Sequence, residues 1–256
     1  MTALITLRHY LKRAFVKPVE VALMTLLPAG IIFLNVAVND NVLTSEETLA
    51  FMYQGFNMLN TGIVLNIIVM FMFMSGAYAG EYYFYDMRSV NRWRLNATPV
   101  AAANFIIGAI GAGVLFSSFT AALVIGFGYF VFNMFMGNIV IIVIVVFLIT
   151  LMSQFIGIIV SIFANGKGSI DAIMIVLSFA MASMVGAFLI PIPMPEFVTN
   201  HILPYGVALR ALTVSRPTAM RDYYSNVDAI PYIAILLGMT VIFALAALVL
   251  ARRRPV

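Results

Sequence analysis

The chain is 256 residues long, 63% hydrophobic and only 9% charged, with a formal net charge of +4. A mean hydropathy of +1.06 excludes an ordinary water-soluble fold, which must cover itself with polar side chains. The absence of cysteine excludes disulfides, thiol chemistry and cysteine-based metal sites.

Residues 4 to 17, LITLRHYLKRAFVK, place Leu4, Leu7, Leu11 and Phe15 on one helical stripe, with His9, Lys12, Arg13 and Lys17 on the other face. Residues 1 to 18 are therefore expected to form an interfacial helix on the inner leaflet, turning into the membrane near Pro18. A plain basic topology anchor is the competing reading.

Crossing about 30 Å of hydrocarbon takes about 20 helical residues, and six stretches qualify. They are Val19–Val38, Gly62–Gly80, Asn104–Val131, Ile139–Ala164, Ile170–Ile190 and Ile230–Leu250. Their continuity predicts helices rather than the short alternating strands of a barrel, giving an all-α membrane protein built as one transmembrane domain. Pro28 is expected to kink the first span. Thr44 and Glu47 have capping-box spacing ahead of the second. Gly108, Ala109, Gly111, Ala112 and Gly113 crowd the third, where small residues mark close helix packing. Residues 191–229, with PIPMPEFVTNHILPYGVALRAL, are too polar for a span and too apolar for a free loop. Short interfacial or re-entrant outer helices fit them, with an ordinary extracellular lid as the alternative.

Eleven of the fourteen Lys and Arg fall at the two termini and in the second-to-third and fourth-to-fifth connections, which places both ends in the cytoplasm. Positive charge then reflects topology and anionic headgroups, and no nucleic-acid partner is implied. None of the six spans carries an ionisable residue at its centre, which counts against a proton- or sodium-driven carrier. The interior polar residues Asn35, Asn66, Asn104, Thr120, Ser153 and Gln154 either bond across helices or line a path. With only His9 and His201 there is no zinc-protease spacing, and NGKGS at 165–169 is no phosphate loop. No enzyme, resident metal or self-contained ATP hydrolysis is expected.

The segment SVNRWRLNATPV, 89–100, gathers Arg92, Trp93, Arg94 and Leu95 just after Arg88. A simple positive-inside loop accounts for the arginines but not for Trp93 and Leu95; aromatic and arginine side chains together resemble interface anchors, and Trp93 equally fits a headgroup anchor.

The order of these features resembles the permease subunit of ABC-2 type transporters over essentially the whole chain. The matching positions are Glu81, Leu95, Thr98, Pro99 and Val100 around the basic segment, with Leu203, Pro204 and Arg210 before the last span. The chain departs in lacking the usual Gly-Thr step and in carrying Asn91 and Arg92 where an acidic residue is common. The resemblance implies that 81–99 is a coupling segment in which Glu81, Arg88, Arg92, Trp93, Arg94 and Leu95 meet a separate ATPase subunit, present in two copies. Arg8, Lys12 and Arg13 would then belong to an elbow helix. ATP and magnesium would sit on the partner, and a second permease, identical or similar, would complete the pathway in a bacterial plasma membrane. The expected cargo is a lipophilic drug, peptide or lipid moved outward, with an exported glycan or lipid-linked polymer as the second choice. Asn35, Tyr53, Phe56, Asn66 and Phe71 are the candidate pathway residues. A secondary carrier or channel and a membrane scaffold are the rival classes.

Overall fold

The structure, a computed structural model, describes residues 2–15, 22, 25–34, 62–88, 102–132, 137–186, 192–215 and 226–253. All regular structure among them is helical. In chain order the helices are α1 (Thr2–Phe15), α2 (Thr25–Leu34), α3 (62–74), α4 (Ala77–Arg88), α5 (Ala102–Phe132), α6 (Ile139–Phe163), α7 (Lys167–Met184), α8 (Pro204–Val214) and α9 (Asn226–Arg253). A single π turn, Val198–Ile202, precedes α8 and is closed by the Leu203 N–H donating to the Val198 carbonyl at 2.9 Å.

Five helices are long and apolar enough to cross a membrane: Gly62–Asp86 (α3 and α4 together), Asn104–Val131, Ile139–Phe163, Lys167–Met184 and Val227–Ala251. This is the architecture of a multi-pass membrane protein. Of the expected first span, Val19–Val38, the described part is Ala22 and the ten-residue apolar helix α2, with Pro28 buried inside it. The Pro18 turn and the Thr44 cap lie outside the described residues.

Hydrophobic runs located the helices but not their ends. The second span continues as helix from Gly80 to Arg88, because Glu81, Asp86 and Arg88 are compatible with helix although not with hydrocarbon. Conversely α7 stops at Met184, short of the apolar run's end at Ile190. Gly186 takes φ +74°, and its N–H donates to the Ser183 carbonyl, a glycine-terminated C-cap. The last helix starts at Asn226, ahead of the expected span start at Ile230, and runs through Pro231. That proline sits in the second turn, so it removes one helical hydrogen bond rather than many.

Helix α6 is the hub of the bundle, packed against α4, α5, α7, α8 and α9. Its buried positions run along nearly its whole length, from Ile141 to Ile162. Against it α8 buries Tyr205, Val207, Ala208, Ala211 and Leu212 completely, so the Pro-rich segment contributes a helix to the core rather than a peripheral cover. Helices α7 and α9 bury far less of themselves and present apolar flanks such as Val176, Val241 and Ile242 outward, as lipid-facing helices do.

The closest approach joins the second span to α6. A Cβ built at Gly76 would overlap the Ser153 carbonyl oxygen, and one at Gly157 would overlap the Gly76 carbonyl oxygen. Gly76 and Gly80 on one helix face Ser153 and Gly157 on the other, a small-xxx-small pairing that sets two backbones in contact. The small residues of α5 also mark packing: Gly108 and Gly111 receive Thr6 and Leu7 of α1, and Gly113 receives the Gln154 side chain. Gly157→Ala is expected to lower the stability of the detergent-solubilised protein by about 3 kcal/mol, because the obstacle is backbone and cannot rotate away. Gly238→Ala, with no atom within 4 Å of its Cβ, should instead leave stability unchanged or slightly raised in the same unfolding measurement.

Candidate functional site

The second span is interrupted at Ser75–Gly76 without a proline. There the Gly76 N–H bonds the Phe73 carbonyl at 3.3 Å, and the Tyr78 N–H bonds the Ser75 carbonyl at 3.0 Å, a tightening that breaks the regular ladder. The polar groups around the break are taken up by side chains of α6 and α7. Gln154 accepts from the Ala79 N–H at 3.2 Å and donates through Nε2 to the Ser75 carbonyl at 3.0 Å and Ser75 Oγ at 3.2 Å. Ser153 donates to the Met72 carbonyl at 3.0 Å, and Ser178 to the Met70 carbonyl at 2.8 Å. Ser75, Ser153, Gln154 and Ser178 are all buried. This clasp holds both halves of the broken span against α6 and α7.

Below the clasp, α4 carries a second cluster toward the end of the bundle where α4 finishes and α5 and α7 begin. Glu81 is 4% exposed, and its carboxylate meets Lys167 Nζ of α7 at 3.2 Å. At the next residue, Tyr10 of α1 stacks on Tyr82, ring centroids 5.0 Å apart, and donates its hydroxyl to Asp86 one turn further on. Burial first, and then the Asp86 carboxylate, push the Tyr10 pKa well above its ordinary value, so it stays a neutral donor. Arg13 lies 5.4 Å above the Tyr82 ring and 5.1 Å above that of Tyr85, and 3.9 Å from Asp86. Cation–π contacts of this kind contribute roughly 0.5–1 kcal/mol each.

The expected α1 stripe is thereby changed. Leu7 and Leu11 do pack inward, together with Tyr10 and Ala14, but Leu4 is 71% and Phe15 49% exposed. Arg13 is drawn from the polar face toward Asp86, because its stem and guanidinium find two aromatic faces and a carboxylate there. The helix also lies along α5 rather than across it. Thr6 donates to the Asn104 carbonyl at 3.2 Å, while Phe15 meets Phe116 and Phe119 near the middle of α5. Arg8 and Lys12 are exposed, away from this cluster.

Other expected site residues divide three ways. Arg92, Trp93, Arg94, Leu95, Asn35, Tyr53 and Phe56 lie outside the described residues, as does the Arg88 side chain, although Arg88 closes α4. Glu81 faces into the bundle, held by Lys167. Asn66 and Phe71 are in the core. The Asn66 carbonyl accepts from Tyr205 of α8 at 2.9 Å and its side-chain oxygen accepts from the same hydroxyl, while Phe71 is buried at 4% among apolar neighbours. Sequence reasoning did not single out Gly76, Gly157, Tyr10 or Tyr205. The Gly76-xxx-Gly80 and Ser153-xxx-Gly157 spacings were the available signal for the first two. Nothing local marks the tyrosines, whose partners lie 76 and 139 positions away.

The clasp and the α1–α4 cluster differ in depth and so in their response to substitution. Gln154→Leu leaves the Ala79 N–H and a second bond of the Ser75 carbonyl without a partner, and should cost about 1–3 kcal/mol of stability. A double-mutant cycle of Tyr10→Phe with Asp86→Asn should give a coupling of about 1 kcal/mol in the same unfolding assay; additive effects would dissociate α1 from α4.

Comparisons of the chain with family models, with curated proteins and with solved structures find no match.

Proposed function

We propose that the chain is the membrane-spanning permease subunit of an ATP-driven exporter, worked by a separate ATPase subunit that docks on the basic segment 89–100. The observation that carries this reading is the junction of α1 with the end of α4. The interrupted span 62–88 is about 40 Å long at 1.5 Å per residue, roughly 10 Å more than the hydrocarbon needs, and its charged residues Glu81, Asp86 and Arg88 all lie on α4, so the excess is assigned to the α4 end. Tyr10, Arg13 and Asp86 fasten that end to α1. The end of α4, after which Arg92, Trp93, Arg94 and Leu95 follow in the sequence, therefore lies beside the N-terminal helix and is tied through the clasp to the centre of the bundle. A push on such a segment would be delivered to α4 and α6 together rather than absorbed by a free loop.

On this reading nucleotide and magnesium bind the partner, and two permease chains, identical or similar, frame the pathway. The cargo is lipophilic, a drug, peptide or lipid, in keeping with spans that carry no ionisable residue at their centres. Mild-detergent purification of the tagged chain from its native membrane, followed by mass spectrometry, tests the proposal. Recovery of a soluble chain with a nucleotide-binding loop is expected, together with its loss in the Arg92→Glu, Arg94→Glu variant at unchanged thermal stability. Recovery of the chain alone, or ion-gradient-driven flux by the purified chain, would reject it in favour of a carrier or scaffold.

A further inference from the structure

Along the half of α5 that leads to the α5–α6 hairpin, helices α5 and α6 part to leave an apolar groove of about 820 Å³. Its floor on α5 is made of small side chains, Ala121, Ala122 and Gly126, and its α6 wall runs from Ile139 to Phe147. No charged residue lines it, and hydroxyls enter only through Ser118 and Tyr129. It lies apart from the clasp and from the Tyr10–Asp86 cluster, and nothing in the proposed ATPase coupling uses it.

We infer that this groove is a binding site for lipid hydrocarbon chains, holding an acyl chain lengthwise with its polar end at the rim near Tyr129 and Asn138. Three features select that occupant. The first is its course: the α6 wall spans eight residue steps, about 12 Å, and the α5 wall sixteen, about 24 Å, both running along the helix axes from the hairpin end, the direction in which lipid chains lie. The site thus opens at the hairpin end, where headgroups lie, and runs inward along both helices. The second is cross-section. Spread over the 12 Å of the α6 wall or the roughly 24 Å of the α5 wall, 820 Å³ gives about 35–70 Å². A helix about 10–12 Å across needs about 80–110 Å², more than the groove encloses, whereas slender hydrocarbon can sink into it lengthwise. The third is the rim. Tyr129 and Phe130, 53% and 83% exposed and packed edge to face at 5.3 Å, stand at the hairpin end, where aromatic side chains mark the membrane–water boundary.

The groove can be filled without disturbing its walls, since the nearest atom to a Cβ at Gly126 is a Phe130 ring carbon at 3.9 Å. The full chain would be placed in nanodiscs of phosphatidylcholine doped with phosphatidylcholine carrying a diazirine in its acyl chain, then irradiated and mapped by peptide mass spectrometry. Labelling of 114–147 is expected to exceed that of the exposed α9 face, at Val241, Ile242 and Leu245, by at least about threefold per exposed residue. Gly126→Phe should bring it down to the α9 level while α9 labelling stays unchanged; if that variant fails to fold, Ala122→Phe, at an exposed lining position, serves the same purpose. Labelling spread evenly over all lipid-facing helices, or insensitive to the filling substitution, would overturn the inference. Protection of the groove together with crosslinks to a second copy of the chain would equally overturn it. None of these outcomes depends on whether an ATPase partner exists.

Discussion

A peptide group in hydrocarbon has no water to fall back on, and the interruption at Ser75–Gly76 puts that constraint at the centre of the molecule. Breaking the ladder in mid-span leaves carbonyls and an N–H that must find partners from other helices. Gln154, Ser153 and Ser178 supply them. They reach only because Gly76 and Gly157 let two backbones touch. The arrangement is mutually dependent: the glycines bring the helices close enough for short polar side chains to bond backbone, and those bonds make an interrupted helix tolerable. It also explains why α6 is the hub, since the helix that repairs the break must lie against it over its full length.

Charge is handled by the same logic at one end of the bundle. With 9% charged residues, the protein has few to place, and in the described helices α1, α4 and α7 several of them converge. Glu81 is nearly sealed from solvent but has Lys167 within 3.2 Å, and Asp86 takes a tyrosine hydroxyl and an arginine. A buried carboxylate without such partners would be costly, so these contacts are best regarded as conditions for α4 to remain helical past the apolar stretch. Their consequence is mechanical. The end of α4 is joined to α1 on one side and α7 on the other, while its beginning is locked to α6.

Neutral polar residues within the spans are largely spoken for. Ser153 and Gln154 hold the break, Thr120 bonds its own helix at the Phe116 and Ser117 carbonyls, and Asn66 meets Tyr205. Phe71 is enclosed in the core. The described residues among these candidates thus all have partners or packing within the chain. An apolar groove opens instead between α5 and α6.

Membrane residence, the positions of five long apolar helices and the absence of ionisable groups at their centres were all legible in the sequence. Each follows from composition over 20-residue windows, and the bilayer imposes its requirement on every residue of a span regardless of its neighbours. An amphipathic N-terminal helix was legible too, from its local period. Its orientation was not, because Tyr10 and Arg13 answer to Tyr82, Tyr85 and Asp86, more than seventy positions along the chain. The break at Ser75–Gly76, the seating of α8 in the core and the end of α7 were likewise settled only by tertiary structure. A glycine or glutamine reads alike whether it faces lipid or another backbone, and which of the two it faces is decided by helices that meet only once the bundle has formed.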